Sequence, residues 1–186
     1  MIKQRSLAKL IVLSFLTCGI YGFFFWWGYI RDINNACVCD GKKSPNYLVV
    51  LLLSGLTCGL YYLIWLYRQG ERLKTMAPAY GLDFKEGGGN VLVYQLLGSF
   101  LISVASSVSN LAFVASGQYT VSFAGYNDAA LRETLSALNI APDAALMIAF
   151  CGMVIFLLGV VLVLSGLGIL IKNLNAVGLV YNERCA

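Results

Sequence analysis

A block of 21 residues occurs twice in this chain, forty positions apart and without a gap: residues 14–34 read SFLTCGIYGFFFWWGYIRDIN and residues 54–74 read SGLTCGLYYLIWLYRQGERLK. Ser14, Leu16, Thr17, Cys18, Gly19 and Tyr21 return as Ser54, Leu56, Thr57, Cys58, Gly59 and Tyr61. In both copies an aromatic run follows, and then an arginine beside an acid. Repetition at a fixed spacing means that one supersecondary unit has been used twice. Each copy joins an apolar run of membrane-spanning length to a charged end, so the repeated unit reads as a duplicated membrane element.

The rest of the chain fits that reading. With 59% hydrophobic and only 12% charged residues among 186, and a mean hydropathy of +0.76, there are too few charges to coat a soluble globule. Residues 145–171 hold 27 positions without a charge, and about 20 suffice to cross a hydrocarbon layer of about 30 Å. Residues 10–30, 47–67 and 91–117 are further uncharged runs. The expected fold is an all-α integral membrane protein, with two tandem TCGxY helical units followed by two transmembrane helices. The duplicated unit takes residues 1–86, with repeats over about 5–34 and 45–74. Residues 87–186 form a hairpin of two spans, about 90–116 and 145–172, with an external loop 117–144 and a cytoplasmic tail.

Several function classes drop out. The chain has no histidine, which removes histidine-based triads, Cys-His dyads and the commonest transition-metal ligand. Its nine acidic residues lie outside the long apolar runs, so no proton relay or carboxylate pair is visible at membrane depth. The expectation is a protein that is not an enzyme and uses no cofactor or metal. Of the six cysteines, Cys18, Cys58 and Cys151 sit in apolar runs, where a thiol packs as a small hydrophobe. Cys37, Cys39 and Cys185 fall short of the four ligands in paired spacing that structural zinc takes. The basic, then apolar start resembles a secretory signal ending at Cys18, but the same Leu-Thr-Cys-Gly recurs at 56–59, and residues 1–34 are expected to be retained.

Charge gives a topology. Twelve of the 13 basic residues lie outside residues 116–146, and the exception, Arg132, shares that stretch with Asp128, Glu133 and Asp143. By the positive-inside rule that segment is external and both termini are cytoplasmic. The loop from Arg31 to Pro45 is basic too, with Lys42 and Lys43. If each repeat crosses once, this loop lies outside against its charge. If each repeat enters and leaves by the cytoplasmic face, breaking at Thr17-Cys18-Gly19 and Thr57-Cys58-Gly59, every basic loop is inside. Glycine breaks a helix and threonine caps one, so the charge pattern favours the re-entrant arrangement, with single crossing as the alternative. The aromatic runs before each charged exit suit the headgroup level.

Two helix faces stand out. Gln95, Ser99, Ser103, Ser106 and Asn110 are spaced four, four, three and four, on one side of a helix and over about 22 Å. Such a polar stripe faces either another helix or water, so it is a helix contact or a pore wall. Ala145, Gly152, Gly159 and Gly166 recur every seven residues and form a seam for close helix packing, against the third helical unit or another subunit. In the external segment, Leu131, Leu135 and Leu138 share a face of an expected short amphipathic helix that stops before Pro142. Gly87 to Gly89 lack the lysine and serine or threonine of a phosphate loop, and read as a flexible joint before a helix.

The doubled Thr-Cys-Gly-Ile/Leu-Tyr block, Asp40-Gly41-Lys42-Lys43-Ser44-Pro45 between the copies, Gly70-Glu71-Arg72-Leu73 after the second and Asn173-Leu174-Asn175 near the end carry a family resemblance. The chain resembles the bacterial membrane family catalogued as domain of unknown function 4234, over about residues 7–100 and 155–182. Residues 100–145 look like an insertion relative to the compact pattern. The resemblance implies a small protein of the bacterial inner membrane and supplies no activity, substrate or catalytic residue.

The function expected from these readings is a non-catalytic, homo-oligomeric membrane scaffold or assembly module, associating through the glycine seam. The alternative is an oligomeric channel or transporter-like pore lined by the polar stripe. The expected partners are the lipid bilayer, further copies of the chain and other membrane proteins, with no nucleic acid.

Overall fold

At each Thr-Cys-Gly the chain leaves the right-handed helical region and doubles back. The computed structural model describes residues 1–115 and 141–184. In it Cys18 and Cys58 both sit at φ 49°, and Gly19 and Gly59 at φ 90° and 88°. Positive φ costs an ordinary L-residue about 1–2 kcal/mol, and glycine is the residue that takes it without a steric penalty. The threonine then bridges the break. Thr17 Oγ1 donates to the Leu13 carbonyl at 2.7 Å and accepts the Tyr21 N–H at 2.9 Å. Thr57 does the same with Leu53 at 2.7 Å and Tyr61 at 2.9 Å. The Gly19 and Gly59 N–H groups each donate 2.7 Å back to Ser14 and Ser54. Few backbone groups are left unsatisfied, which suits an apolar surrounding.

These breaks divide the first half into α1 (Leu7–Leu16), α2 (Ile20–Ala36), α3 (Tyr47–Leu56) and α4 (Leu60–Met76). Short 3-10 turns over Val38–Asp40 and Ala77–Tyr80 follow α2 and α4. α5 (Gly88–Ala115) and α6 (Pro142–Arg184) complete six α-helices, and there is no strand among the described residues. α6 starts three residues before the expected span and runs on to Arg184, and Pro142 opens it where the sequence reading had it follow a loop helix. The expected amphipathic helix of Leu131, Leu135 and Leu138, the charges Asp128, Arg132 and Glu133, and Cys185 lie outside the described residues.

The chain forms two compact units. One joins Met1–Gln95 with the chain from Leu164 onward, and the other is Leu96–Val163. This differs from the expected boundary at residue 86, because the last part of α6 belongs with the paired helices. Its Leu170, Leu174 and Val177 are buried in one core with Tyr29 and Ile33 of α2 and Trp65, Leu66 and Leu73 of α4. Trp26 and Trp65 meet edge to face at 5.7 Å, a preferred aromatic geometry.

The N-terminal segment is zipped onto α6. Asn182 accepts the Ile2 N–H and donates to the Ile2 carbonyl, both at 2.8 Å. Asn175, two turns earlier, accepts the Arg5 N–H at 2.8 Å and donates to the Arg5 carbonyl at 2.6 Å. Two side-chain amides thus serve as the partner strand for an extended segment. Between them Gly178 makes room for Ile2, whose Cγ2 would lie 2.7 Å from any Cβ there.

In the second unit α5 and α6 pack through glycine. A Cβ on Gly98 would lie 2.7 Å from the Gly159 carbonyl, and one on Gly159 would lie 2.8 Å from the Gly98 carbonyl. Much of the remaining surface is apolar and exposed, with Phe100, Leu111, Phe150 and Leu157 among it. Gly88–Ala112 and Asp143–Arg184 are long and apolar enough to cross a membrane, and only 22% and 11% of their most apolar stretches are buried. Two such helices support membrane association.

Candidate functional site

The two ends of each repeat come together, and each meeting point is held by an arginine whose side chain is mostly covered, 11% exposed in Arg5 and 8% in Arg72. In the first repeat Arg5, just before α1, reaches Asp32 near the end of α2 at 2.5 Å, and its guanidinium also donates to the Phe25 carbonyl at 3.2 Å. The position equivalent to Asp32, forty residues on, is Arg72. The sign of the charge is therefore inverted between copies, and so is the source of its partner. Arg72 pairs with both carboxylate oxygens of Asp40, in the loop between the hairpins, and donates to Asn34 Oδ1 at 2.8 Å and Ser44 Oγ at 3.1 Å. It also donates to the carbonyls of Cys37 and Lys42.

Ser44 extends this network, its N–H donating to Asn34 Oδ1 at 2.8 Å and its hydroxyl to Gln69 Oε1 at 2.8 Å. The hydrogen bond from Arg72 holds the Asp40 carboxyl below its ordinary range, with the Lys42 N–H adding to the effect. Loop 37–46 is thus fixed against α4 by one guanidinium.

Beside this network a groove of about 660 Å³ runs along α4. Tyr61, Ile64 and Trp65 line one part, and Lys42, Lys43, Arg68 and Thr75 another. Lys42, Lys43 and Arg68 are exposed. Trp65 is 2% exposed, and its indole N–H has no partner.

The glycine run at 87–89 is a packing site and not the flexible joint expected of it. A Cβ on Gly70 would lie 2.8 Å from the Gly88 Cα, and one on Gly88 only 2.1 Å from the Tyr67 carbonyl. α4 and the start of α5 touch backbone to backbone. The Glu71 carboxylate accepts the Gly88 N–H at 3.2 Å, so α4 supplies an anionic cap to α5.

The structure separates the polar stripe from the seam. Gln95 is buried, with its Oε1 unpartnered, whereas Ser99, Ser103, Ser106 and Asn110 are exposed. In the Leu96–Val163 unit, the face of α5 that packs carries Gly98, Ile102 and Ala105. Ala145, Gly152, Gly159 and Gly166 are all buried. Gly152 meets Ser109 and Ala105, Gly159 meets Gly98 and Ile102, and Gly166 meets Val91 and Tyr94. Of the two partners expected for the seam, α5 of the same chain is the one that meets Gly152, Gly159 and Gly166.

The cysteines also differ from expectation. Cys18, Cys58 and Cys151 are exposed. Cys37 is buried and Cys39 exposed. Burial pushes the Cys37 thiol up to about 11, with Arg72 pulling the other way. A thiol ordinarily at 9.0 and raised to about 11 holds about 100-fold less thiolate near neutral pH. With native protein and N-ethylmaleimide at pH 7.5, mass spectrometry of the digested loop should show Cys39 modified at least about 100-fold faster than Cys37. Equal rates would mean that the loop is not held against α4. Cys39 is therefore the better probe of which side of a membrane this loop occupies.

Residues 5–75 match the family described as Domain of unknown function (DUF4234), so the match covers both TCGxY repeats and the loop between them. The expected extension to residues 76–100 and 155–182 lies outside the matched stretch. No curated protein and no solved structure matches the chain.

Proposed function

We propose that this chain, whose residues 5–75 belong to that family, is a non-catalytic, homo-oligomeric membrane scaffold of the bacterial inner membrane. The observation that carries the proposal is the exposed stripe of Ser99, Ser103, Ser106 and Asn110 on a helix whose other faces are apolar or packed. Hydroxyl and amide groups avoid lipid, and small polar residues let helices approach closely and hydrogen-bond across the contact. A second copy of the chain is the partner that would cover them.

In this reading the two TCGxY hairpins are re-entrant. Single crossing would place Arg5 and Asp32 about 30 Å apart on opposite faces, and they form an ion pair at 2.5 Å. α1 and α3 have ten residues each, about 15 Å or half the hydrocarbon thickness. Their tips are apolar and bare, with Phe15 85% and Leu56 81% exposed, as suits a loop ending inside the bilayer. α5 and α6 then cross fully, and the zipped ends of the chain lie on one side, which the basic loops make the cytoplasmic one. A second reading, an oligomeric pore, draws on the same exposed stripe, whose length of about 17 Å covers over half of the hydrocarbon layer.

Cross-linking tests the scaffold. In a chain whose six native cysteines are serine, Ser103→Cys in native membranes should give a disulfide-linked dimer on mild oxidation, and Val93→Cys, on an exposed apolar face, should not. Absence of dimer at Ser103 would refute a stripe interface. Flux through the reconstituted oligomer, abolished by Ser103→Leu, would replace the scaffold with the pore.

A further inference from the structure

The groove along α4 changes character from one part to the other. Between Tyr61 and Thr75 α4 advances 14 residues, about 21 Å, which is the thickness of one leaflet with its headgroups, half of about 40–45 Å. The wall begins with Tyr61, Ile64 and Trp65 and ends with Arg68 and Thr75, while Lys42 and Lys43 come in from the loop. From apolar wall to cationic rim, it follows the profile of a single lipid.

The rim cations are uncommitted. Among the described residues, the ion pairs are Arg5–Asp32, Arg31–Asp32 and Arg72–Asp40, so neither Lys42, Lys43 nor Arg68 is paired. Asp40, one of two acids lining the groove, is neutralised by Arg72, and the other, Glu71, accepts the Gly88 N–H. Three cations thus face the opening against one engaged carboxylate. The Trp65 indole N–H, buried in the wall without a partner, is a further donor. A volume of about 660 Å³ falls within the usual range for small-molecule pockets, roughly 300–1,000 Å³, and accommodates a headgroup, glycerol and the first methylenes. Longer chains would continue over the exposed apolar surface of α3, where Leu48, Leu51 and Leu52 lie.

We infer that this groove binds one anionic phospholipid, with its phosphate held by Lys42, Lys43 and Arg68 and its acyl chains along Tyr61, Ile64 and Trp65. The inference rests on the membrane reading and not on the oligomer. Arg72 has a separate role: committed to Asp40, Asn34 and Ser44, it holds the loop so that Lys42 and Lys43 reach the rim. A free inorganic anion would leave the apolar wall unused.

Native mass spectrometry of the detergent-solubilised protein, offered equimolar phosphatidylglycerol and phosphatidylcholine, tests this. Wild type should retain one phosphatidylglycerol per chain at least about tenfold over phosphatidylcholine. Lys42→Gln, Lys43→Gln and Arg68→Gln should each lower that preference about fivefold, since a cation at the surface of an anionic leaflet contributes roughly that factor. Lys3→Gln, outside the groove, should leave it unchanged, and unfolding temperatures would confirm that all variants are folded. Equal retention of the two lipids by wild type, or a preference that survives the triple substitution, overturns the inference. So does displacement of the lipid by about 10 mM inorganic phosphate, which would mark a free-anion site. The same spectra report subunit number, so a monomer that keeps its lipid preference would refute the scaffold and leave the lipid site standing.

Discussion

Replacing Arg72 with alanine should lower the unfolding temperature of the purified protein by about 6–12 °C, corresponding to about 3 kcal/mol for a chain of this size. The guanidinium is 8% exposed and bonds five partners from α2, the Val38–Asp40 turn and the following loop. Truncation removes them all at once, leaving the Asp40 carboxylate with the Lys42 N–H alone, Asn34 Oδ1 with the Ser44 N–H alone, and Ser44 Oγ without the donor it accepted. Breaking a buried pair by removing one partner typically costs about 3–5 kcal/mol, and the low end applies because Asp40 is 12% exposed. Arg72→Lys should recover only part, since an ammonium cannot reproduce the planar two-pronged contact.

The same pair gives a pH dependence with a definite sign. Because Arg72 lowers the Asp40 pKa on folding, the contribution is fully present above the ordinary value of 3.8 and is lost as pH falls through the lower value of the folded state. Wild type should therefore lose stability below about pH 4 more steeply than Arg72→Ala, as thermal scans between pH 7 and pH 3 would record. Parallel curves would mean that the pair does not hold the loop.

The second large effect comes from a single methyl group. Gly88→Ala places a Cβ 2.1 Å from the Tyr67 carbonyl and 3.0 Å from the Glu71 nitrogen, both backbone atoms that a rotamer change cannot relieve. α5 must shift away from α4, at a cost of about 3 kcal/mol, the upper part of the range for overpacked sites. Gly89→Ala, one position on, meets nothing within 4 Å. It should leave stability unchanged or raise it by up to about 1 kcal/mol, because alanine loses less backbone entropy in a helix. Similar effects of the two substitutions, measured side by side in denaturant or heat, would contradict the close α4–α5 contact.

What the sequence disclosed and what it hid divide along a physical line. Features written in a local period were legible: the doubled Thr-Cys-Gly break, the two long apolar helices, and the small residues every seven positions that the structure finds buried along α6. The Arg72 network was half visible, because Asp40 to Pro45 and Gly70 to Leu73 stood out as family marks without a role. Their meeting depends on a loop folding back over 32 residues, and side chain to carbonyl bonds leave no periodic trace. Asn175 likewise stood out as a family mark without a role and Asn182 did not stand out at all, since their partners lie 170 and 180 residues away. The glycine run misled for a related reason. Glycine signals both a joint and a close approach, and only the neighbour, Gly70 on another helix, decides between them.

The pairing of Ile2 with Asn182 and of Arg5 with Asn175 also sets a schedule. A ribosome adding roughly 5–20 residues per second takes about 10–35 s between the first of these partners and the last. Throughout that interval the N-terminal segment has no strand partner, and Arg5 is held by Asp32 and Phe25 of α2. The first hairpin must therefore survive on these local contacts until α6 arrives. In the order of synthesis, the end of the chain is the latch that closes its beginning.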